Sequence, residues 1–423
     1  MNRFFFSSGN ASTWRDGAAA RRVAVLSVAG CLVIALLSAC TSAPTPAAKV
    51  DEEAVSRYRA AGYPLPASIP TQAHRISGPV TEAPWTIGLT RPADHLVHPL
   101  IIYLPGLGED DSTPVRWIEA WAHAGYAVLA IQALRDDANV WSTADARSGD
   151  FERIARARFA DDLMADRIAR LSRLLAQIRA RSLRGEAGLD GLDWNHVALA
   201  GADLGAYTVQ RIASSPQSTL ADLHWPLTPQ AYLVISPYAV RSARGAEADS
   251  TRAPLLMISS RDDVDAYGVV TDPSIRHLAF DRLKGADDIY FELGAATHRW
   301  LGGAVVLSSP TEAAPRPRMM SDEGEHGSPV GRRIKEHAGR DDMAPQADDE
   351  DTPADRKARV ASIADQTAAR SRALTQSALS ATSFEAVSVA FLDGWLRDQP
   401  AARAWLSDRA PTWLQNGDRL KHR

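Results

Sequence analysis

Leu100-Ile101-Ile102-Tyr103-Leu104 is an unbroken apolar run that Pro105-Gly106 stops, the pattern of a strand buried on both faces. Comparable short runs lie at 87–89, 126–131, 197–200, 232–235, 255–259 and 289–293. Between the second and third of these, residues 151–182 change period. Phe159, Leu163, Ile168, Leu171, Leu174, Leu175 and Ile178 recur at helical spacing, with many arginines on the other face interleaved with Asp161, Asp162 and Asp166. The mixture of signs reads as a solvated helix surface. Strands alternating with helices predict an α/β fold, a mostly parallel central sheet with helices on both faces. Near the end, Phe384, Val387, Phe391, Trp395 and Leu396 carry the spacing of one amphipathic helix laid on that sheet, and Trp405, Leu406 and Trp413 extend the contact.

Two stretches depart from this pattern. Residues 310–357 contain no Leu, Phe, Tyr or Trp but hold Asp348-Asp349-Glu350-Asp351 and several prolines. Such a segment buries too little apolar surface to offset the entropy of ordering, so it is expected to be a disordered polar insertion. At the other end, Arg3, Arg15, Arg21 and Arg22 precede an uncharged apolar run over 23–39, the arrangement of a secretory signal and short for a membrane span. It ends in Leu37-Ser38-Ala39-Cys40, which resembles the lipobox of bacterial lipoproteins. That resemblance implies a signal peptide over 1–39, cleavage before Cys40 and a diacylglycerol on its sulfur. Threonine rather than aspartate at position 41 implies the outer membrane, facing the periplasm. The expected organisation is then a tether over 40–74, a domain over 75–309, the insertion over 310–357, and a C-terminal helical part of the same domain over 358–423.

Composition narrows the function. The 423 residues hold 47 basic and 51 acidic side chains, a net charge of −4, which argues against nucleic acid as a partner. Two cysteines exclude a disulfide scaffold, a cysteine zinc site and an iron–sulfur cluster. No nucleotide-phosphate loop, metal-ligand spacing or flavin signature occurs, so no cofactor and no metal are expected.

Sheets of this kind place ligands at the carboxyl ends of their strands, and three loops there carry candidate chemistry. Leu104-Pro105-Gly106-Leu107-Gly108 is a glycine turn that leaves amides uncommitted. Ala200-Gly201-Ala202-Asp203-Leu204-Gly205 is a strand turning sharply toward a helix, with small residues around one polar side chain. Thr297-His298-Arg299-Trp300 follows the last predicted strand, and Ser260-Arg261-Asp262-Asp263-Val264-Asp265 supplies three carboxylates between them.

The order of elbow residue, acid and histidine resembles the α/β-hydrolase fold, in particular its lidless branch of dienelactone hydrolase-like, chlorophyllase-like and platelet-activating-factor acetylhydrolase-like proteins, over roughly residues 76–307 and again over the final helix. The resemblance implies an α/β-hydrolase fold with no cap domain. It further implies that Leu107 and Leu204 supply the oxyanion N–H groups, His298 the base, and Asp263 the triad acid, with Asp265 and then Asp262 as the other candidates. It departs at the elbow, where Asp203 stands in place of the expected serine. A carboxylate has no hydroxyl proton to pass to imidazole, which leaves two expectations. Asp203 is a nucleophile, as in the haloalkane dehalogenase and epoxide hydrolase relatives of the fold, and the chain is a hydrolase of an ester-like or otherwise activated small substrate. Alternatively, hydrolysis is lost, and the fold serves a catalytically inactive envelope lipoprotein with a binding role. Ser236, after its own strand, is a remote substitute nucleophile that no tight turn sets at a helix start.

Overall fold

The computed structural model describes residues 47–76, 84–111, 115–239, 251–265, 267–303 and 353–423. The chain divides into two compact units, one of residues 1–47 with 349–367 and one of residues 48–348 with 368–423. Of the first unit, the described residues are Ala47 and the opening of a helix, whose side chains over 357–367 are exposed or half-buried.

The second unit is built on nine strands: β1 (Thr71–Arg75), β2 (Trp85–Pro92), β3 (His98–Leu104), β4 (Ala127–Ala133), β5 (Leu192–Ala202), β6 (Ala231–Ile235), β7 (Leu255–Ser260), β8 (Ile289–Leu293) and β9 (Arg419–His422). They form one sheet in the order β1-β2-β4-β3-β5-β6-β7-β8-β9. The five pairings from β4 across to β8 are parallel, while β1 with β2, β2 with β4, and β8 with β9 are antiparallel. The fold is therefore mixed α/β with a mostly parallel sheet.

Strand side chains alternate between faces, and each face has its own core. Leu100, Ile102 and Leu104 of β3 join Leu129, Ile131, Val197 and Leu199 on one side. Ile101 and Tyr103 join Val128, Ala130, Ala198 and Ala200 on the other. The helices that cover these faces are, in chain order, α1 (Glu52–Ala61), α2 (Val115–His123), α3 (Ala144–Ser148), α4 (Phe151–Arg158), α5 (Asp161–Leu183), α6 (Leu204–Ser214), α7 (Gln217–Asp222), α8 (His277–Asp281), α9 (His298–Leu301), α10 (Pro353–Leu396), α11 (Pro400–Ala404) and α12 (Ala410–Trp413). The first core takes Leu171, Leu174, Leu175 and Ile178 of α5 and Val209 and Ile212 of α6. The second takes Trp117 and Trp121 of α2 and Phe384, Val387 and Phe391 of α10. Trp117 and Phe384 stack with centroids 3.7 Å apart.

Four expectations are corrected. The tether over 40–74 does not hold as a whole, because α1 lies within it. Asp51 caps that helix by accepting from Ala54 N–H, Tyr58 stacks on Trp413 at 4.4 Å, and Tyr63 donates to Asp393 at 2.8 Å. These contacts anchor a segment whose prolines and charges suggested none. The domain boundary at 75 also moves, since β1 begins at Thr71. Strands β1 and β9 are short, polar edge strands without the apolar runs that mark interior ones, so the C-terminal part 358–423 ends in a strand rather than being wholly helical. Finally, the expected helix over 151–182 is two, α4 and α5, because Ala160 takes an extended ψ of 140° and Asp161 and Asp162 open a new first turn.

The signal over 1–39, Cys40 and residues 310–352 of the expected insertion lie outside the described residues, while 353–357 open α10. Among the described residues no helix is long and apolar enough to cross a membrane.

Candidate active site

Asp203 joins β5 to α6 with φ 48° and ψ −111°, a backbone conformation that non-glycine residues rarely adopt. The turn holds because its neighbours have no side chains to obstruct it. A Cβ on Gly201 would come within 2.5 Å of the Gly205 carbonyl carbon, and a Cβ on Gly205 would overlap the Leu104 carbonyl oxygen. Strand β5, helix α6 and the end of β3 can therefore approach closely only with glycine at both positions. The Asp203 N–H donates to Ile235 O at 3.1 Å, and Tyr207 N–H donates to Asp203 O at 2.9 Å to begin the helix. The carboxylate is thereby thrust into the space above the strand ends.

There it meets the other two loops. Leu107 N–H, on the turn after β3, donates to Asp203 Oδ2 at 3.1 Å. His298 Nε2 faces Asp203 Oδ1 at 3.8 Å. On the far side of the imidazole, Nδ1 donates to Asp263 Oδ1 at 2.7 Å. Asp263 is fully buried and also receives Ser236 Oγ at 3.1 Å and Ser259 Oγ at 3.0 Å. Leu204 is buried at the first position of α6, so its N–H is one of the amides that a helix leaves without an internal partner.

The three acid-loop candidates separate clearly. Asp262 is exposed. The Asp265 carboxylate accepts from the amides of Tyr267 at 2.8 Å, Val269 at 2.7 Å and Val270 at 3.1 Å, organising its own turn. Asp263 is the one that meets His298. Ser236, the substitute nucleophile, instead spends its hydroxyl on Asp263.

Sequence reasoning missed five neighbours. Arg276 is 1% exposed. Its Nε lies 3.0 Å from Asp263 Oδ2, and its Nη1 donates to the carbonyls of Ser236 at 3.2 Å and Pro237 at 2.8 Å. Gln132 Nε2 donates to Gly106 O at 2.8 Å and Glu109 O at 3.0 Å, bracing the turn that presents Leu107. Tyr267 OH donates to Leu107 O at 2.5 Å, and its ring stacks on that of Trp141 at 5.5 Å. Arg276 and Gln132 left no signal, because a lone arginine or glutamine in a loop or strand has no periodicity to betray it. Glu109, two residues beyond the expected oxyanion donor, was visible as an acid close to a glycine turn.

Electrostatics follow from this burial. Loss of water pushes the Asp203 carboxyl up, an effect that the nearby His298 charge opposes and Asp265 adds to. For His298, burial favours the neutral ring, yet the hydrogen bond and charge of Asp263, with the charge of Asp203, outweigh it and raise the imidazole to about 9. Burial would raise Asp263 as well, but its bond to His298 and the Arg276 charge hold it below the ordinary carboxylate value. The set thus places two carboxyls, Asp203 and Asp263, against the His298 imidazole and the Arg276 guanidinium.

Asp203, Asp265 and His298 each offer one atom within 4.8 Å of the others, a spacing that a cation can also use. The Asp265 oxygens already accept three backbone amides, and an ion would have to displace the imidazolium proton. These residues therefore fit an internal ion-pair network better than a metal centre. A cavity of about 500 Å³ opens on Asp203 and His298, with Trp141, Tyr267 and Glu109 in its walls. That is enough room for a small organic molecule. Comparison of the chain with models of protein families and with curated proteins finds no match.

Proposed function

We propose that the chain has the α/β-hydrolase fold and hydrolyses a small electrophile through a covalent ester on Asp203. The observation that carries this reading is the division of labour on one carboxylate: Oδ2 is held by Leu107 N–H at 3.1 Å, while Oδ1 points toward His298 and the cavity. A sharp strand-to-helix turn, an N–H from the loop after β3 and the chain order elbow, acid, histidine all support the fold assignment.

In the first step Oδ1 attacks a saturated carbon of the substrate, the bond from that carbon to the leaving group breaks with its electron pair, and an alkyl ester forms on Asp203. Esterification removes the Asp203 charge, one of the influences that raise His298. The imidazole then gives up its proton more readily, and as a base it takes one from water. Hydroxide adds to the ester carbon Cγ, and the charge that develops on Oδ2 meets the Leu107 amide. Collapse breaks the bond between Cγ and the alkyl oxygen, and His298 returns the proton to the departing alcohol. Attack on an ester carbonyl would instead require a mixed anhydride, so leaving groups on saturated carbon suit this site better than simple esters.

One observation favours a second reading, a catalytically inactive binding cleft. The Asp203 carboxyl faces an imidazole raised to about 9, and as an ion pair the two would be neutralised before any substrate arrives. The two readings part in one experiment. Residues 41–423 are assayed on epoxides, bromoalkanes and short aryl esters beside an Asp203→Asn, His298→Ala double variant, with single-turnover reactions run in heavy-oxygen water. The enzyme reading expects turnover and label in the Asp203 carboxylate. Rates no higher than the double variant on every class would sink it.

From the sequence we also propose a diacylglycerol on Cys40 that anchors the chain at the outer membrane. Cys40→Ala should then release it into the soluble fraction, and continued membrane retention would count against the anchor.

A further inference from the structure

Glu109 is half-buried in the wall of the same cavity, and the surrounding backbone is cut away to admit it. A Cβ on Gly106 would come within 3.2 Å of both Glu109 Oε2 and Asp203 Cβ, and a Cβ on Gly302 would overlap Glu109 Oε1. Two glycines thus make the room that this carboxyl occupies beside Asp203. Its Oε2 accepts from Gly106 N–H at 2.9 Å, a neutral donor. The charged and titratable groups facing it are Asp203 and His298 across the cavity, Asp110 beside it in the chain, Tyr103 from β3, Tyr267 from the acid loop, and Arg299 at the rim. His298 stands between Asp203 and Asp263 and Arg276 lies on Asp263, so an ionised Glu109 would add a further anion beside Asp203, and the His298 charge that opposes this is already shared with two aspartates.

Resting on the covalent reading above, we propose that Glu109 is the general acid for the first step, and that the substrate is therefore one whose leaving group is an oxygen needing a proton, of which an epoxide is the simplest. As Asp203 Oδ1 bonds to the epoxide carbon, the carbon–oxygen ring bond breaks, and the Glu109 carboxyl proton passes to that oxygen. The product of the step is a hydroxyalkyl ester on Asp203. Water then hydrolyses the ester as described, giving a diol, and Glu109 regains its proton from solvent. Epoxide plus water balances to diol with no other reactant. Burial foremost, with the neighbouring Asp203 charge, outweighs the Gly106 N–H and the His298 charge and lifts Glu109 to about 7, the range in which a general acid works at neutral pH.

The test compares wild type, E109Q and D203N on a small aryl epoxide and on a bromoalkane, since bromide departs without a proton. In E109Q the amide oxygen of the new side chain still accepts from Gly106 N–H, so the turn is preserved. The expected result is a loss of kcat/KM on the epoxide of about 10²-fold or more in E109Q, at least about tenfold greater than any loss on the bromoalkane. The wild-type decline of epoxide turnover above pH of about 7 should also disappear in E109Q. Equal losses on both substrates, or an alkaline decline that survives in E109Q, would overturn the proposal. So would a wild-type enzyme that turns over the bromoalkane but not the epoxide, and in that case the covalent reading stands. If wild type matches D203N on both substrates, the covalent reading falls and this inference falls with it.

Discussion

The Leu107 amide donates to Asp203 Oδ2 at 3.1 Å across 96 residues of chain, so the amide proposed as an oxyanion donor already grips one oxygen of the Asp203 side chain. The other oxygen is left to His298 at 3.8 Å, beyond a direct hydrogen bond. A serine hydrolase needs this amide empty until its tetrahedral intermediate forms. A carboxylate nucleophile needs it occupied, because the held oxygen becomes the carbonyl of the ester and later its oxyanion.

Asp203→Ser should consequently convert the site. It frees the Leu107 amide, restores a hydroxyl whose proton His298 can take, and keeps the His298–Asp263 bond of 2.7 Å. Hydrolysis of short aryl esters should rise at least about tenfold over wild type, with a burst of the released phenol, while epoxide and bromoalkane turnover falls by about 10³-fold or more. A folded variant without any gain on esters would show that the loops do not form a working hydrolase frame.

Asp263→Asn should separate the two chemical steps. The amide cannot supply the charge that holds the imidazole near 9, and it can present an N–H to Nδ1 and so favour the wrong tautomer. Ester hydrolysis should slow by about 10³ to 10⁴-fold, whereas attack by Asp203 does not use the base. The alkylated enzyme should therefore accumulate and be visible as an intact-mass increase after substrate is added. Equal slowing of both steps would argue that Asp263 only maintains the fold.

Stability should carry a signature of His298. Its folded value of about 9 lies above the ordinary 6.5, so the folded state binds the proton more tightly than the unfolded chain does. That contribution is fully present below about pH 6.5 and is lost as pH rises through about 9. His298→Gln should thus lower the unfolding free energy more at about pH 6 than at about pH 10, as read from denaturant titrations. A gap that widens with pH would reverse the assigned ion pairing.

Gly205→Ala tests the elbow itself. Its new Cβ would overlap the Leu104 carbonyl oxygen and reach 2.6 Å from the Leu104 carbonyl carbon, and both partners are backbone that cannot rotate away. A destabilisation of about 3 kcal/mol or more is expected, seen as a fall in Tm. An unchanged Tm would mean that strand and helix are less closely seated than described.

The interior of the sheet was legible from the sequence because a strand buried on both faces must be apolar throughout. Strand β8 spans Ile289–Leu293, the same five residues as the run read from the sequence, with Glu292 as its one charged and half-buried member, and β3, β6 and β7 differ from theirs by one or two. The loops that bear Asp203, Asp263 and His298 were legible for a related reason: a site at strand ends draws on the residues immediately after each strand. Helix α1 was hidden because what fixes it, Tyr58 on Trp413 and Tyr63 on Asp393, joins residues more than three hundred positions apart. The choice of Asp263 over Asp262 and Asp265 depended on which carboxylate the turn after β7 aims inward, and adjacent residues of equal chemistry carry no local sign of that. Local pattern thus determined which segments form the sheet and which loops could hold chemistry. Only tertiary packing decided that Leu107 grips Asp203, that Arg276 underlies Asp263 and that Glu109 shares their cavity, because each of those contacts closes a loop whose ends the sequence keeps apart.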